Sequence, residues 1–236
     1  MNQEFEIDLT DQIKANALNK LTYVDTPEVF VKTSKSDFKY MEIDVKPLLD
    51  FYPPKNSSDE TKKELLEMMS FMTDDHSDDF KSSLKKMDED PAQFIIDNYK
   101  KLSGKDVPKN VLDFLIGGDV EILAMKLKMH FNRPRPYQIA EYYGIDLDYN
   151  KDIQHGAAHA PSYPSGHTLS AYFAARVLSF IDPTYEDQLK EKAVMVADSR
   201  VVEGVHFRSD NMFSFYLVDR VLMPAFIKAY DKTRNN

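Results

Sequence analysis

Apolar residues recur at helical spacing along most of this chain. Residues 60–72 set Leu65, Leu66, Met68, Met69 and Met72 on or near one face, which predicts an amphipathic helix. Asp90 followed by Pro91 is a capping residue ahead of a proline at the first helical position, and predicts a helix running to about Leu102. Asp119 can cap another, through Ile122, Leu123, Met125 and Met129 to a stop at Pro134. Residues 167–181 carry Leu169, Tyr172, Phe173, Val177, Phe180 and Ile181 at i, i+3, i+4 spacing. Pro183 breaks the chain there, a further helix is expected over 184–202, and Gly204 is its stop. The last helix, 211–231, is apolar almost all round from Met212 to Ile227, as buried helices are, with Asp210 as its N-cap and Pro224 as a kink. Residues 1–50 depart from the pattern: they read as an irregular segment with short β-like runs such as Val29 to Thr33, too few for a sheet core. The expectation is an all-α, single-domain helical bundle over residues 1–236, with 119–231 as its motif-bearing core.

Composition narrows the function classes. No run of about 18 uncharged apolar residues exists, so no membrane-spanning helix is predicted. A net charge of −9 argues against an electrostatic nucleic-acid binder. Its distribution says more: residues 41–100 hold 15 Asp and Glu against 8 Lys, whereas Lys126, Lys128, Arg133 and Arg135 follow one another with no acid among them. An acidic chain that concentrates cations in one place is suited to holding a small anion. The absence of cysteine removes disulfides and thiolate chemistry. Acids at Glu4, Glu6 and Asp8 stand where a signal peptide needs a basic end and an apolar core, which reads as a cytoplasmic chain, or a periplasmic one had a signal been removed.

Three clusters carry candidate chemistry. His206 lies four residues ahead of Asp210, so the carboxylate can orient the imidazole, and Arg200 six residues upstream can hold an anion. Lys128 and Arg135 form the second cluster, with Arg135 stiffened between Pro134 and Pro136. Pro164-Ser165-Gly166-His167 is the third: it opens the helix over 167–181, where N–H groups and the helix dipole favour an anion and His167 can move a proton.

The segments Lys128-x6-Arg135-Pro136, Pro164-Ser165-Gly166-His167 and Ser199-Arg200-x5-His206-x3-Asp210 resemble, in order and spacing, the three-part signature of the type 2 phosphatidic acid phosphatase superfamily. That superfamily also contains bacterial class A non-specific acid phosphatases and vanadium haloperoxidases. The flanks, Arg133-Pro134 ahead of Arg135, Ser162-Tyr163, and Gly204-Val205, are most similar to the class A phosphatases. The resemblance implies a metal-independent phosphomonoester hydrolase acting through a phosphohistidine. His206, His167 and Asp210 would be catalytic; Lys128, Arg135, Ser165, Gly166 and Arg200 would bind the phosphate. It implies no cofactor, with vanadate as an inhibitory phosphate analogue. In the alternative, a haloperoxidase, vanadate would be the cofactor; a silent binding or structural protein of the same fold is the third reading. The implied partner is a small phosphorylated substrate, with no nucleic acid and no membrane span. The substrate's alcohol half and any homo-oligomeric state stay open.

Other residues are weaker candidates. Arg133 matches no signature position and reads as a neighbour. His155 and His159 are four apart, but the Gly-Ala-Ala between them gives no zinc geometry. Asp74 to Asp79 lacks the glycine and glutamate of a calcium loop and reads as a solvated stretch. Tyr163, Phe131 and the acidic segment are candidates for shaping specificity.

Overall fold

The computed structural model describes residues 9–147 and 159–234, and among them all regular structure is helical, with no strand. In chain order the α-helices are α1 Leu9–Asn19, α2 Glu28–Ser34, α3 Asp59–Thr73, α4 Asp78–Glu89, α5 Pro91–Ser103 and α6 Lys109–Ile116. They continue as α7 Asp119–Phe131, the single turn α8 Pro136–Ile139, α9 Gly166–Ile181, α10 Glu186–Val202, α11 Arg208–Leu217 and α12 Met223–Arg234.

Helix α9 is the centre of the molecule, packed against α5, α6, α7, α10 and α11. Its small residues Ala171, Ala174 and Ala175 are fully buried between Leu169, Phe173, Val177 and Leu178, so neighbouring helices approach closely all round it. Each large apolar side chain buried this way contributes roughly 1.5–3 kcal/mol. A second cluster joins Leu65 and Met68 of α3 to Ile139, Val201 and Phe207. Because Phe207 follows His206 in sequence, this cluster anchors the backbone of the candidate nucleophile.

Several local expectations hold. Asp90 caps α5 by accepting from the Gln93 N–H at 2.9 Å, with Pro91 at the first helical position. Helix α10 ends in a Schellman turn: Gly204 is left-handed, and Gly204 and Val205 donate to the carbonyls of Val201 and Arg200.

Others are corrected. The β-like run at Val29 is helical and forms α2, and α1 also lies in the segment expected to be irregular. Helix α2 buries none of its own residues yet packs on α7, so tertiary contact overrides the strand propensity of its valines. Asp119 is the first residue of α7 instead of its cap. Its buried carboxylate accepts from the N–H groups of Lys39, Tyr40 and Met41 and ties that loop to the helix. At Pro224 the chain does not simply kink: Val218–Leu222 forms a wide π-helical turn between α11 and α12. Proline lacks an N–H and its ring crowds the carbonyl four residues back, and the widened turn relieves both.

Candidate active site

A cavity of about 490 Å³ opens between α4, α7 and α9, and Lys128, Gly166, His167 and His206 are among the residues lining it. Lys128 reaches it from the last turn of α7 and Gly166 from the first position of α9. A Cβ built on Gly166 would come no nearer than 4.0 Å to Lys128 Cε, which sets the ammonium arm beside the helix N-terminus. The N–H groups of a helix's first turn have no carbonyl partner within the helix, so those of Gly166 and His167 begin a natural anion seat.

His206 is 1% exposed. Its Nδ1 lies 3.0 Å from Asp210 Oδ2, and Arg135 Nη1 lies 2.9 Å from its Nε2. Arg135 can only donate, so the network assigns a lone pair to Nε2 and the proton to Nδ1. That tautomer is the one a nucleophilic imidazole needs. Asp210 does not cap α11, which begins three residues earlier than expected, at Arg208. It is the third helical residue, and its Oδ2 also accepts from the Phe207 N–H at 3.0 Å. The carbonyl of Arg200 accepts from the N–H groups of Val205 and His206, which fixes the loop carrying the imidazole.

His167 stands in the same cavity with Nε2 2.8 Å from the carbonyl oxygen of Asp88. A carbonyl can only accept, so Nε2 carries a proton and Nδ1 is the nitrogen left for chemistry. Arg200 does not line the cavity itself. Its Nη1 pairs with Asp88 Oδ1 at 2.8 Å and lies 2.5 Å from Glu203 Oε2, outside hydrogen-bonding alignment. Lys128 donates from Nζ to the carbonyls of Pro161 and Ser162. Ser165 is fully buried as the N-cap of α9, its hydroxyl 2.9 Å from Thr168 Oγ1 and turned to the helix.

Burial is the largest cause of each main pKa shift here. His206 is held well below the usual histidine range by burial, then by Arg135, Lys128, Arg200 and His167. His167 is lowered by burial, then by Arg200, with its bond to Asp88 opposing and Arg135 and Lys128 adding to the fall. Lys128 is pushed well down by burial and then by Arg135, and burial brings Arg135 to about 10. Cations crowded together in a dry pocket repel one another, and an anion among them relieves that repulsion. Glu203 moves the other way: burial raises it to about 7 against the pull of Arg200.

Four residues were not read as parts of this site. Arg133 is more than a sequence neighbour: it is buried with Nη1 2.6 Å from Asp210 Oδ1 and Nη2 3.4 Å from Glu64 Oε2. Asp88 and Glu203 flank Arg200. Only Glu203 had a local signal, an acid three residues past a motif arginine at the end of its helix. Tyr163 and Phe131 do not line the cavity: Tyr163 stacks on Phe213 at 4.6 Å, and Phe131 packs edge-on to it. Of the acidic segment 74–90, Asp88, Glu89 and Asp90 line the cavity, whereas Asp74 to Asp79 do not. His155 lies outside the described residues, and among those described no group of three His, Cys, Asp or Glu could hold a metal ion. No described helix is long and apolar enough to cross a membrane.

Residues 114–226 match the PAP2 superfamily. A non-specific acid phosphatase of Providencia stuartii is 32% identical over 111 residues, 46% of this chain and 43% of that protein. A second, from Salmonella typhi, is 27% identical over 141 residues, 57% of this chain and 55% of that protein. The aligned segment thus spans about half the length of each relative. Among solved structures, a transmembrane PAP2-type phosphatidylglycerolphosphate phosphatase from Bacillus subtilis aligns over 95% of this chain and 94% of its own, at 19% identity and a TM-score of 0.36. A score that low carries no argument about fold or substrate.

Proposed function

The chain belongs to the PAP2 superfamily and is distantly homologous to bacterial non-specific acid phosphatases, and on that premise we propose that it hydrolyses phosphomonoesters without a metal, through a phosphohistidine on His206. The observation that carries this reading is the shared cavity: two imidazoles, an ammonium and a helix N-terminus line one space. Phosphoryl transfer spreads negative charge over three equatorial oxygens. Lys128, Arg135, Arg200 and the Gly166 N–H would meet that charge from positions fixed before substrate arrives. Ser165 would add its hydroxyl by turning from Thr168.

The attacking atom is His206 Nε2. Arg135 Nη1 shifts its hydrogen bond from that lone pair to a phosphate oxygen, and Nε2 bonds to phosphorus as the P–O bond to the alcohol breaks. Asp210 holds the Nδ1 proton and stabilises the cationic ring. The leaving alkoxide takes a proton from His167 Nδ1. Burial and then Arg200 hold the His167 pKa low, and the incoming dianion, countering Arg200, Arg135 and Lys128, raises its affinity for the proton it must donate. Neutral His167 then takes a proton from water, the hydroxide attacks phosphorus, the P–N bond breaks, and His206 returns with its lone pair.

The test is release of p-nitrophenol from p-nitrophenyl phosphate by the full chain in excess chelator. Turnover in wild type, and its loss in His206→Ala, is the expected result. Absence of phosphate release from any phosphomonoester would defeat the proposal.

A further inference from the structure

We propose that Arg133 is a positioning residue for the nucleophile, acting through Asp210. This rests on the reading of His206 as nucleophile. Arg133 and Arg135 alternate with Pro134 and Pro136. Residues two apart on extended chain project to the same side, and here the two guanidiniums reach opposite ends of one imidazole. Arg135 Nη1 meets His206 Nε2 at 2.9 Å, while Arg133 Nη1 meets, at 2.6 Å, the Asp210 carboxylate that bonds His206 Nδ1.

Further contacts hold both terminal nitrogens and the face of the Arg133 guanidinium. Nη1 also donates to Ser209 Oγ at 2.8 Å, and its guanidinium carbon lies 3.9 Å from the centre of the Phe207 ring. Behind it, Glu64 accepts from the Ser209 N–H at 2.6 Å and from the Ser209 hydroxyl at 2.9 Å. The side chains of Arg133 and Asp210 are 1% and 0% exposed. A carboxylate so buried needs a counter-charge, and the one that fills this need also selects which oxygen faces His206. Lysine would supply the charge from a single point; the guanidinium fork reaches both Asp210 and Glu64. The result is an ordered line, His206–Asp210–Arg133–Glu64, running from the cavity wall to α3.

Remove the Arg133 charge and the Asp210 carboxylate acts undiminished on His206, so the ring holds a second proton more tightly. The other groups facing the ring stay in place: Lys128 from α7, Arg135, Arg200 from α10, and His167 from α9, all of which disfavour the charged ring. Nucleophilic attack needs the neutral ring, so the acid limb of the rate profile moves to higher pH.

The experiment follows the His206 ring by NMR in histidine-labelled full-length protein, with His206→Gln identifying its resonances, alongside kcat against pH. Arg133→Met is expected to raise the His206 titration midpoint by about one unit and to lower kcat at least tenfold. Arg133→Lys should recover most of the midpoint. Glu64→Gln, which leaves the Arg133–Asp210 contact intact, should lower the melting temperature without moving the midpoint. In the background of Asp210→Asn, Arg133→Met should cost little further activity. An unchanged midpoint in folded Arg133→Met, an unchanged midpoint in folded Arg133→Gln should the methionine variant not fold, or fully additive losses in the double variant would overturn the proposal. Because the ring titration needs no turnover, a wild type that hydrolyses nothing would sink the phosphatase reading and still leave this one decided.

Discussion

Replacing Glu203 by glutamine isolates a buried carboxyl that the chemistry does not use. Glu203 is 4% exposed, its Oε2 lies 2.5 Å from Arg200 Nη1, and its pKa stands at about 7 against an ordinary 4.5. A carboxyl raised on folding contributes stability that is fully present below its unfolded pKa and is lost as pH rises through its folded value. The window is therefore about pH 4.5 to 7. Each pH unit in it is worth about 1.4 kcal/mol, so the whole loss is about 3 kcal/mol as an upper bound. Glutamine keeps the shape and cannot ionise, so Glu203→Gln minus wild type should climb across that window and then level off. Urea unfolding at half-unit pH steps measures the difference, and the opposing slopes of His167 and His206, common to both proteins, cancel. A gap between the two proteins that is flat from pH 4.5 to 8 would refute the reasoning. The same ionisation adds a negative charge beside Arg200, so KM for a phosphomonoester should rise through pH 7 more steeply in wild type than in the variant.

Asp210→Asn should lower kcat by about 10²–10⁴ and also cost roughly 3 kcal/mol, because Arg133 is left buried with only Glu64 opposite; unfolding and rate measured on one sample check both. His167→Ala should slow alkyl phosphates far more than activated aryl phosphates, since only poor leaving groups require the general acid; equal slowing of both would move the acid role elsewhere. His167 and His206 are both lowered on folding, so the stability they contribute is present above about pH 6.5 and lost as pH falls through their folded values. Phosphate or vanadate should hold the protein to lower pH, read as a shift in the acid-unfolding midpoint. Activity should survive chelator and fall with vanadate, both read in the same hydrolysis assay.

Helices with an uninterrupted apolar stripe and a local stop signal were legible in the sequence. Asp90-Pro91 opens α5, Ser165 opens α9, and Gly204 ends α10, because caps act within four residues of where they stand. Helix α2 was not, since its run from Val29 to Thr33 has strand propensity and its helicity is borrowed from α7. The π-helical turn before Pro224 was legible only as a disturbance. For the site, the spacing of Lys128, Arg135, Gly166, His167, Arg200, His206 and Asp210 predicts one pocket; Lys128, Gly166, His167 and His206 line one cavity, while Arg135 and Asp210 bond His206 and Arg200 pairs with Asp88. Their supports were hidden. Asp88 meets Arg200 across 112 residues and Glu64 meets Arg133 across 69, and no local pattern marks such pairs. Tyr163 was misread because an aromatic beside a motif is as well suited to core packing, where its ring stacks on Phe213.

The central claim is that His206 takes the phosphoryl group. Mixing the protein with a labelled phosphomonoester, quenching within the first turnover under alkaline conditions that preserve phosphohistidine, and mapping the label by mass spectrometry tests it most directly. The account predicts a single phosphoryl group on His206, accumulating further in His167→Ala when an activated aryl phosphate is the donor. Label on Ser165, or full turnover by His206→Ala with no phosphoenzyme, would contradict it.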